Sequence, residues 1–184
     1  MIDYNIEICG LKRKLHLIPI SKNTKIASFN ILGDTELTEK VAQVLARKLK
    51  KYKFDFLVGP EVKVVSLLYE LSRKLGQKKY VVCRKSVKPY MISPVVLKPL
   101  SYFPKHVRPL VIDGVDGTLL AGKKVVIIDD VVSTGVTLRM VKYLMEKVGA
   151  KVVASASVIR QGNVQFDEIE NFIYLSELPI FKNN

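Results

Sequence analysis

Two neighbouring acids, Asp129 and Asp130, follow directly after the branched apolar run from Val125 to Ile128. After two valines the chain continues with Ser133-Thr134-Gly135-Val136-Thr137, which places three hydroxyl groups around one glycine. The apolar run predicts a buried strand that the acids end, and apolar residues at helical spacing after Gly135 predict a helix. Acids and hydroxyls are therefore expected together at a turn between a strand and a helix.

This turn has the chemistry of a site for a sugar phosphate. The first turn of a helix offers unpaired N–H groups and a partial positive charge, and both favour a phosphate. The hydroxyl groups add donors, and Gly135 lets the backbone approach an anion closely. Carboxylates would repel a phosphate, but they accept hydrogen bonds from vicinal hydroxyls, so the combination predicts a ribose 5-phosphate. The alternative is an ordinary helix start beside two surface acids.

The two acids are not expected to be equivalent. Adjacent residues of an extended strand point to opposite sides. Unless the backbone turns there, only one of Asp129 and Asp130 faces the ligand directly. The other is then available to orient a lysine or a backbone group, and Asp129 is also a candidate general base.

Helices and strands alternate along the chain on either side of this turn. Asp34 is the predicted N-cap of a first helix, and Gly76 is the predicted end of a second. The predicted helices are 34–51, 64–75 and 136–148, and the predicted strands are 54–58, 80–83, 125–128, 152–159 and 172–175. Such alternation predicts an open, mostly parallel sheet flanked by helices, whose ligands bind at the carboxyl ends of the strands.

A long segment at about residues 86–108 shows neither a helical nor a strand period, and it is rich in proline and basic residues. A loop of this length inside a compact domain is uncommon and is often functional. Beyond it, Leu110–Ile112 and Thr118–Leu120 flank a Gly/Asp turn, which predicts a hairpin.

Composition limits the class of protein. The chain has 184 residues, which suits one domain, and its net charge of +13 favours anionic partners. Two cysteines and two histidines are too few for a disulfide framework or a zinc site of the usual spacing. No apolar run approaches the ~20 residues that span a bilayer. With no signal peptide visible at the N-terminus, we expect a cytoplasmic protein.

The order of four apolar residues, Asp-Asp, two valines and Ser-Thr-Gly-Val-Thr resembles the ribose-phosphate motif of the type I phosphoribosyltransferases. The resemblance implies that the paired acids hold the ribose 2′- and 3′-hydroxyls of phosphoribosyl pyrophosphate (PRPP) and that the following turn binds its 5′-phosphate. The implied ribose 5-phosphate set is Asp129, Asp130, Val131, Val132, Ser133, Thr134, Gly135, Val136 and Thr137.

Two upstream stretches are similar to the pyrophosphate-binding segments of adenine phosphoribosyltransferases. They are FDFLVGPEVK, residues 54–63, and CRK, residues 83–85. By this resemblance the pyrophosphate set is Glu61, Val62, Lys63, Arg84, Lys85 and Lys88. Lys85 joins the paired acids as a catalytic candidate. Val62 replaces a small or hydroxyl residue of the family, and Lys63 replaces its usual arginine, which alters the geometry available for pyrophosphate because lysine cannot form a bidentate fork.

The resemblance implies a purine phosphoribosyltransferase that converts a base and PRPP to a nucleoside monophosphate and pyrophosphate. It implies Mg²⁺ bound with PRPP or pyrophosphate, with no direct protein ligand. Adenine, giving AMP, is the first expectation and hypoxanthine or guanine the second. A PRPP- or purine-sensing regulator that binds DNA is the alternative of another class, although no helix-turn-helix extension is visible.

The implied organisation is a single domain in the type I phosphoribosyltransferase fold. It has a small N-terminal hood at about 1–33, a core at about 34–160 and a flexible basic loop at about 86–108. In the hood, Phe29 is either a ring that stacks on the base or an ordinary core residue. We expect a homodimer by analogy with the family, no membrane partner and no nucleic acid partner.

Overall fold

The computed structural model describes residues 3–162 and 171–182. The strands are β1 (Asp3–Ile8), β2 (Leu11–Ser21), β3 (Thr24–Ala27), β4 (Phe56–Pro60), β5 (Val81–Cys83), β6 (Val95–Leu97), β7 (Leu110–Ile112), β8 (Lys124–Val132), β9 (Lys151–Gln161), β10 (Phe172–Leu178) and β11 (Ile180–Lys182). The helices are α1 (Thr35–Leu49), α2 (Val65–Lys74), α3 (Gly114–Leu120) and α4 (Val136–Lys147). None of the helices in these ranges is long and apolar enough to cross a membrane.

A five-stranded sheet with the order β10-β9-β8-β4-β5 forms the centre of the fold, and all of its neighbouring strands pair in parallel. Side chains of β8 alternate between two hydrophobic cores. Val126 and Ile128 lie in the core shared with α1 and α2, whereas Val125 and Ile127 lie in the core shared with α4. This arrangement confirms the predicted parallel sheet with helices on both faces.

Residues 3–27 supply three strands of a separate antiparallel sheet with the order β1-β2-β3-β11, and its fourth strand, β11, comes from residues 180–182. Arg13 of β2 joins this sheet to the start of α1, with Nε 2.6 Å from Asp34 Oδ2 and Nη2 3.0 Å from Oδ1. Asp34 also caps α1, because its Oδ1 accepts the Leu37 N–H at 3.0 Å. The predicted N-cap is therefore confirmed, and the assignment of this sheet as a hood stays a prediction.

The predicted hairpin between Leu110–Ile112 and Thr118–Leu120 is wrong. Residues 114–120 form α3, and Asp113 caps it by accepting the Val115 N–H at 3.1 Å. Aspartate and glycine are common in turns and at helix starts alike, so local composition did not separate the two structures. The partner of β7 is instead β6, which pairs with it antiparallel and lies inside the segment that shows no period. Strands β6 and β7 enclose residues 98–109, which we term the 98–109 loop.

Strand β8 is longer than predicted. It continues through both acids to Val132, because its parallel pairing with β9 extends to Val132 and Arg160. Asp129 and Asp130 are therefore strand residues, and the turn begins only at Ser133. The carboxyl ends of β8 and β4 lie next to each other in the sheet, which brings the paired acids beside the segment that follows β4.

Candidate functional site

Both acids of β8 are almost fully buried, with exposures of 6% for Asp129 and 7% for Asp130. The Asp130 backbone N–H donates to Asp129 Oδ1 at 2.9 Å, so the first carboxyl folds back onto the chain. Asp130 Oδ2 lies 3.7 Å from Lys63 Nζ, and no hydrogen-bond donor in the described residues reaches this buried oxygen. The two acids are thus inequivalent, as the strand geometry led us to expect, and Asp130 holds the acceptor that lacks a partner.

The electrostatics of the pair differ from those of ordinary surface acids. Burial raises the pKa of Asp129 well above its usual value of 3.8, and the neighbouring carboxylate of Asp130 raises this pKa further. Lys63 acts in the opposite direction but is the smallest of these influences. Ionisation of Asp129 is therefore unfavourable, and a hydroxyl donor or a cation beside the pair would stabilise the ionised form.

The turn after β8 is open toward an anion. Gly135 is the N-cap of α4 and adopts a left-handed conformation with φ of 72°, which favours glycine at this position. No side chain of the described residues caps the first turn of α4, so its N–H groups are not occupied in that way. Thr134 and Thr137 are exposed beside it. The backbone of this turn has the open helix start that a phosphate cradle requires, and the binding of a phosphate there stays a prediction.

A cavity of about 390 Å³ lies over this turn. Its lining combines the turn hydroxyls with basic side chains and contains no carboxylate: Pro60, Lys85, Pro104, His106, Val107, Arg108, Leu110, Ser133, Thr134, Val136, Thr137 and Met140. A larger cavity of about 460 Å³ beside α1 and α2 is lined by three carboxylates and suits an anion less. The smaller cavity therefore has the better chemistry for a phosphate.

The loops after β4 and β5 are joined through Glu61. Its Oε2 lies 2.5 Å from Arg84 Nε, and its Oε1 accepts the Lys85 N–H at 2.8 Å. The Glu61 N–H donates to Cys83 O at 2.9 Å. These contacts occupy the carboxylate, so Glu61 fixes the positions of Arg84 and Lys85 rather than offering a free group to a ligand.

The other predicted pyrophosphate residues divide into two groups. Lys63 contacts the acid pair, and Lys85 lines the phosphate cavity, so both lie at the site. Val62 is exposed and presents no polar side chain. Lys88 donates from Nζ to Ser86 Oγ at 2.9 Å and does not line the cavity. The structure therefore brings Lys63 and Lys85 to the predicted ribose phosphate set, and leaves Lys88 outside it.

Phe29 lies in the hydrophobic core with an exposure of 5%. A ring that is this buried has little free face for stacking on a base. The burial favours the core role, which was one of the two interpretations of this residue.

Four cavity residues from the 98–109 loop were not among the predicted site residues: Pro104, His106, Val107 and Arg108. The sequence showed them only as members of a segment without a period. Their contact with the turn after β8 depends on the β6–β7 pairing, which has no local signal strong enough to read from one sequence.

The sequence profile described as the phosphoribosyl transferase domain matches residues 30–182, and the chain belongs to this family. It is 33% identical over 130 residues to an adenine phosphoribosyltransferase of Thermosipho africanus, a match that covers 70% of this chain and 72% of that protein. An orotate phosphoribosyltransferase of Bartonella henselae is 28% identical over 167 residues, covering 85% of this chain and 71% of the relative.

Among solved structures, an adenine phosphoribosyltransferase from Thermoanaerobacter pseudethanolicus matches with a TM-score of 0.70 and 24% identity. The match covers 89% of this chain and 95% of that one, and it confirms the type I phosphoribosyltransferase fold. Within its family, the chain thus resembles adenine phosphoribosyltransferases in both sequence and fold.

Proposed function

We propose that this protein is an adenine phosphoribosyltransferase, which transfers the phosphoribosyl group of PRPP to adenine and releases AMP and pyrophosphate in purine salvage. The single observation that supports it most is the buried acid pair of β8 next to a cavity of hydroxyls and basic groups at the start of α4. A ligand with a vicinal diol and a phosphate on one sugar satisfies both halves of this site.

The acid pair would hold the ribose ring. Asp130 Oδ2 is buried without a donor, so a ribose hydroxyl that donates to it removes an unsatisfied acceptor. Asp129 already accepts the Asp130 N–H and fixes the direction of its neighbour. A negative pair beneath the sugar would also stabilise the positive charge that develops at the anomeric carbon as pyrophosphate leaves.

Basic groups would stabilise the leaving pyrophosphate. Lys85 lines the cavity, and Arg84 is held beside it by Glu61. Lys63 is the third cation, and its distance of 3.7 Å from Asp130 leaves it free to turn toward a phosphate. Each cation would interact most strongly with the pyrophosphate when negative charge accumulates on it in the transition state. Interactions that are stronger in the transition state than in the ground state lower the barrier.

Mg²⁺ fits this site as a partner of the substrate. Within residues 3–162 and 171–182, no three His, Cys, Asp or Glu side chains form a cluster that could hold a metal ion. The unpartnered Asp130 Oδ2 is nevertheless suited to accept a hydrogen bond from a water on an ion that PRPP carries. Bound in this way, the ion would neutralise the pyrophosphate, while the protein orients the sugar.

The 86–108 segment would cover the site during turnover. Its second part lines the phosphate cavity through Pro104, His106, Val107 and Arg108, and a ligand bound there would be shielded from water on that side. We propose that the remainder closes on bound PRPP. Deletion of residues at its tip should then lower turnover, and unchanged turnover would contradict a closing role.

Orotate is the second candidate base, because several relatives with 25–30% identity are orotate phosphoribosyltransferases. Hypoxanthine and guanine remain alternatives from the sequence, as does a PRPP-sensing DNA-binding regulator. The homodimer and the cytoplasmic location are proposals from family resemblance, and light scattering on the purified chain would test the first.

The direct test is AMP formation from PRPP, Mg²⁺ and radiolabelled adenine. Asp55→Asn is a matched control, because Asp55 lies at the amino end of β4, whereas the acid pair lies toward the carboxyl end of the adjacent β8. Asp55 Oδ2 accepts the Lys124 N–H at 2.8 Å, and an asparagine Oδ1 can still accept this bond. We expect AMP from the wild type and from this control. Failure to convert any purine, together with salt-sensitive DNA binding, would favour the regulator instead.

A further inference from the structure

Phe103 anchors the 98–109 loop to the body of the protein. Its neighbours Ser101, Tyr102, Pro104 and Lys105 are all exposed, whereas Phe103 is only 7% exposed and belongs to the core formed with α4. A single buried aromatic residue in an exposed loop fixes the position of the residues beside it. Val107 also packs against this core with partial burial, so Phe103 and Val107 together attach the loop next to the phosphate cavity.

Arg139 of α4 connects this anchor to the turn after β8. Its guanidinium lies 5.6 Å from the centre of the Phe103 ring, and its Nη2 donates to Thr134 O at 3.4 Å. One side chain thus contacts both the loop and the backbone of the phosphate turn. Movement of the anchor would disturb the turn, and a well-ordered turn would favour the anchored loop.

The anchor places His106 and Arg108 in the wall of the cavity, opposite the hydroxyls of the turn. Neither residue has an ion pair with a carboxylate in the described parts of the chain. A free guanidinium in a cavity without acids has strong affinity for a phosphate, with which it forms charge-assisted hydrogen bonds.

We propose that Pro104, His106, Val107 and Arg108 form a fixed wall of the phosphate site. His106 and Arg108 contact the 5′-phosphate of PRPP, and Phe103 and Arg139 position them. This inference rests on the proposed function, since it assigns further residues to the same site. The 86–108 segment then has two parts. The part next to β7, from Phe103 onward, is anchored, and the residues before it would cover the pyrophosphate.

The test is calorimetric binding of ribose 5-phosphate and of pyrophosphate to the folded full-length protein. Arg108→Ala should weaken ribose 5-phosphate binding by about 10-fold to 100-fold, and His106→Ala by about 3-fold to 10-fold, as expected for lost hydrogen bonds to a charged group. Lys105→Ala is the matched control from the same loop, because Lys105 does not line the cavity. This control and the pyrophosphate affinity of Arg108→Ala should stay within about threefold of wild type.

The positioning role of Phe103 and Arg139 is tested by a measurement that a loss of stability alone would not change. Arg139→Gln and Phe103→Ala should raise the KM for PRPP and weaken ribose 5-phosphate binding while leaving pyrophosphate affinity unchanged. Arg139→Lys and Phe103→Leu, which keep the charge or the apolar volume, should recover part of the loss. Because Phe103→Ala could also reduce folding, Arg139→Gln provides the second, less disruptive variant.

The outcomes separate this inference from the proposed function. If wild type, Arg108→Ala and His106→Ala all bind ribose 5-phosphate equally well, the phosphate wall is overturned and the proposed function is left intact. The phosphate wall is also overturned if these two variants bind pyrophosphate more weakly than wild type but bind ribose 5-phosphate normally. Wild type that binds neither ligand overturns both the wall and the proposed function.

Discussion

The Asp130→Asn substitution should impair PRPP use far more than it impairs folding. Asp130 supplies a buried oxygen without a donor, and the proposal assigns this oxygen to a ribose hydroxyl. Asparagine keeps a neutral acceptor, and a neutral hydrogen bond is worth about half of the roughly 1.5–3 kcal/mol of a charged one. For the two bonds assigned to this oxygen, from a ribose hydroxyl and from a water on the Mg²⁺, the loss is about 1.5–3 kcal/mol, which lowers kcat/KM for PRPP by about 10-fold to 150-fold.

The effect of the same substitution on stability should be small. The ion pair with Lys63 is long at 3.7 Å, and the Lys63 side chain is 52% exposed, so the pair contributes less than about 1 kcal/mol. Removing the charge also relieves its repulsion with Asp129. For a chain of this size, we expect the Tm to change by no more than about 4 °C.

Two measurements on the same preparation decide the outcome. The first is kcat/KM for PRPP at saturating adenine, and the second is the Tm from circular dichroism, with Asp55→Asn as the control for both. A wild-type kcat/KM in Asp130→Asn would rule out a hydrogen bond from this carboxylate to the ribose. A large fall in Tm that accounts for the lost activity would also count against it.

Three further predictions concern the buried acid Asp129, the close packing of Gly59 against β8 and the cap of α1. Asp129→Asn should raise the Tm relative to wild type increasingly as the pH rises above about 4, because a carboxyl with a raised pKa destabilises the fold when it must ionise; a pH series of melting curves checks this. Gly59→Ala should cost about 1–3 kcal/mol in urea unfolding, since its Cβ would lie 2.5 Å from Ile128 O; an unchanged midpoint contradicts the close packing. Asp34→Ala should cost about 1–2 kcal/mol and Asp34→Asn less, because asparagine still caps α1. The Asp34–Arg13 pair lowers the pKa of Asp34, so its contribution should disappear as the pH falls below about 4.

The sequence predicted those parts of the fold whose signals are local. Asp34 and the apolar period after it gave α1 to within two residues at its C-terminal end. The motif at Asp129–Thr137 predicted a strand, a turn and the start of α4 in that order, because their signals lie within nine residues of the chain. The end of the strand was wrong, since the pairing of β8 with β9 carries it past both acids to Val132.

The parts that could not be predicted depend on contacts between distant residues. Asp113 suits both a turn and an N-cap, and only packing of α3 against the rest of the fold decides between them. His106 and Arg108 reach the cavity through the β6–β7 pairing and the burial of Phe103. Glu61 looks like a ligand group in the sequence, but the structure shows its carboxylate engaged with Arg84 and Lys85.

A panel of six bases is the sharpest test of phosphoribosyl transfer to adenine. Adenine, hypoxanthine, guanine, xanthine, uracil and orotate are each supplied with PRPP and Mg²⁺, and the nucleoside monophosphate and pyrophosphate are quantified. We expect AMP and pyrophosphate in equal amounts from adenine, at a kcat/KM well above that for the other bases. Preferential conversion of orotate would contradict the assignment of the base, and no product from any of the six would contradict phosphoribosyl transfer itself.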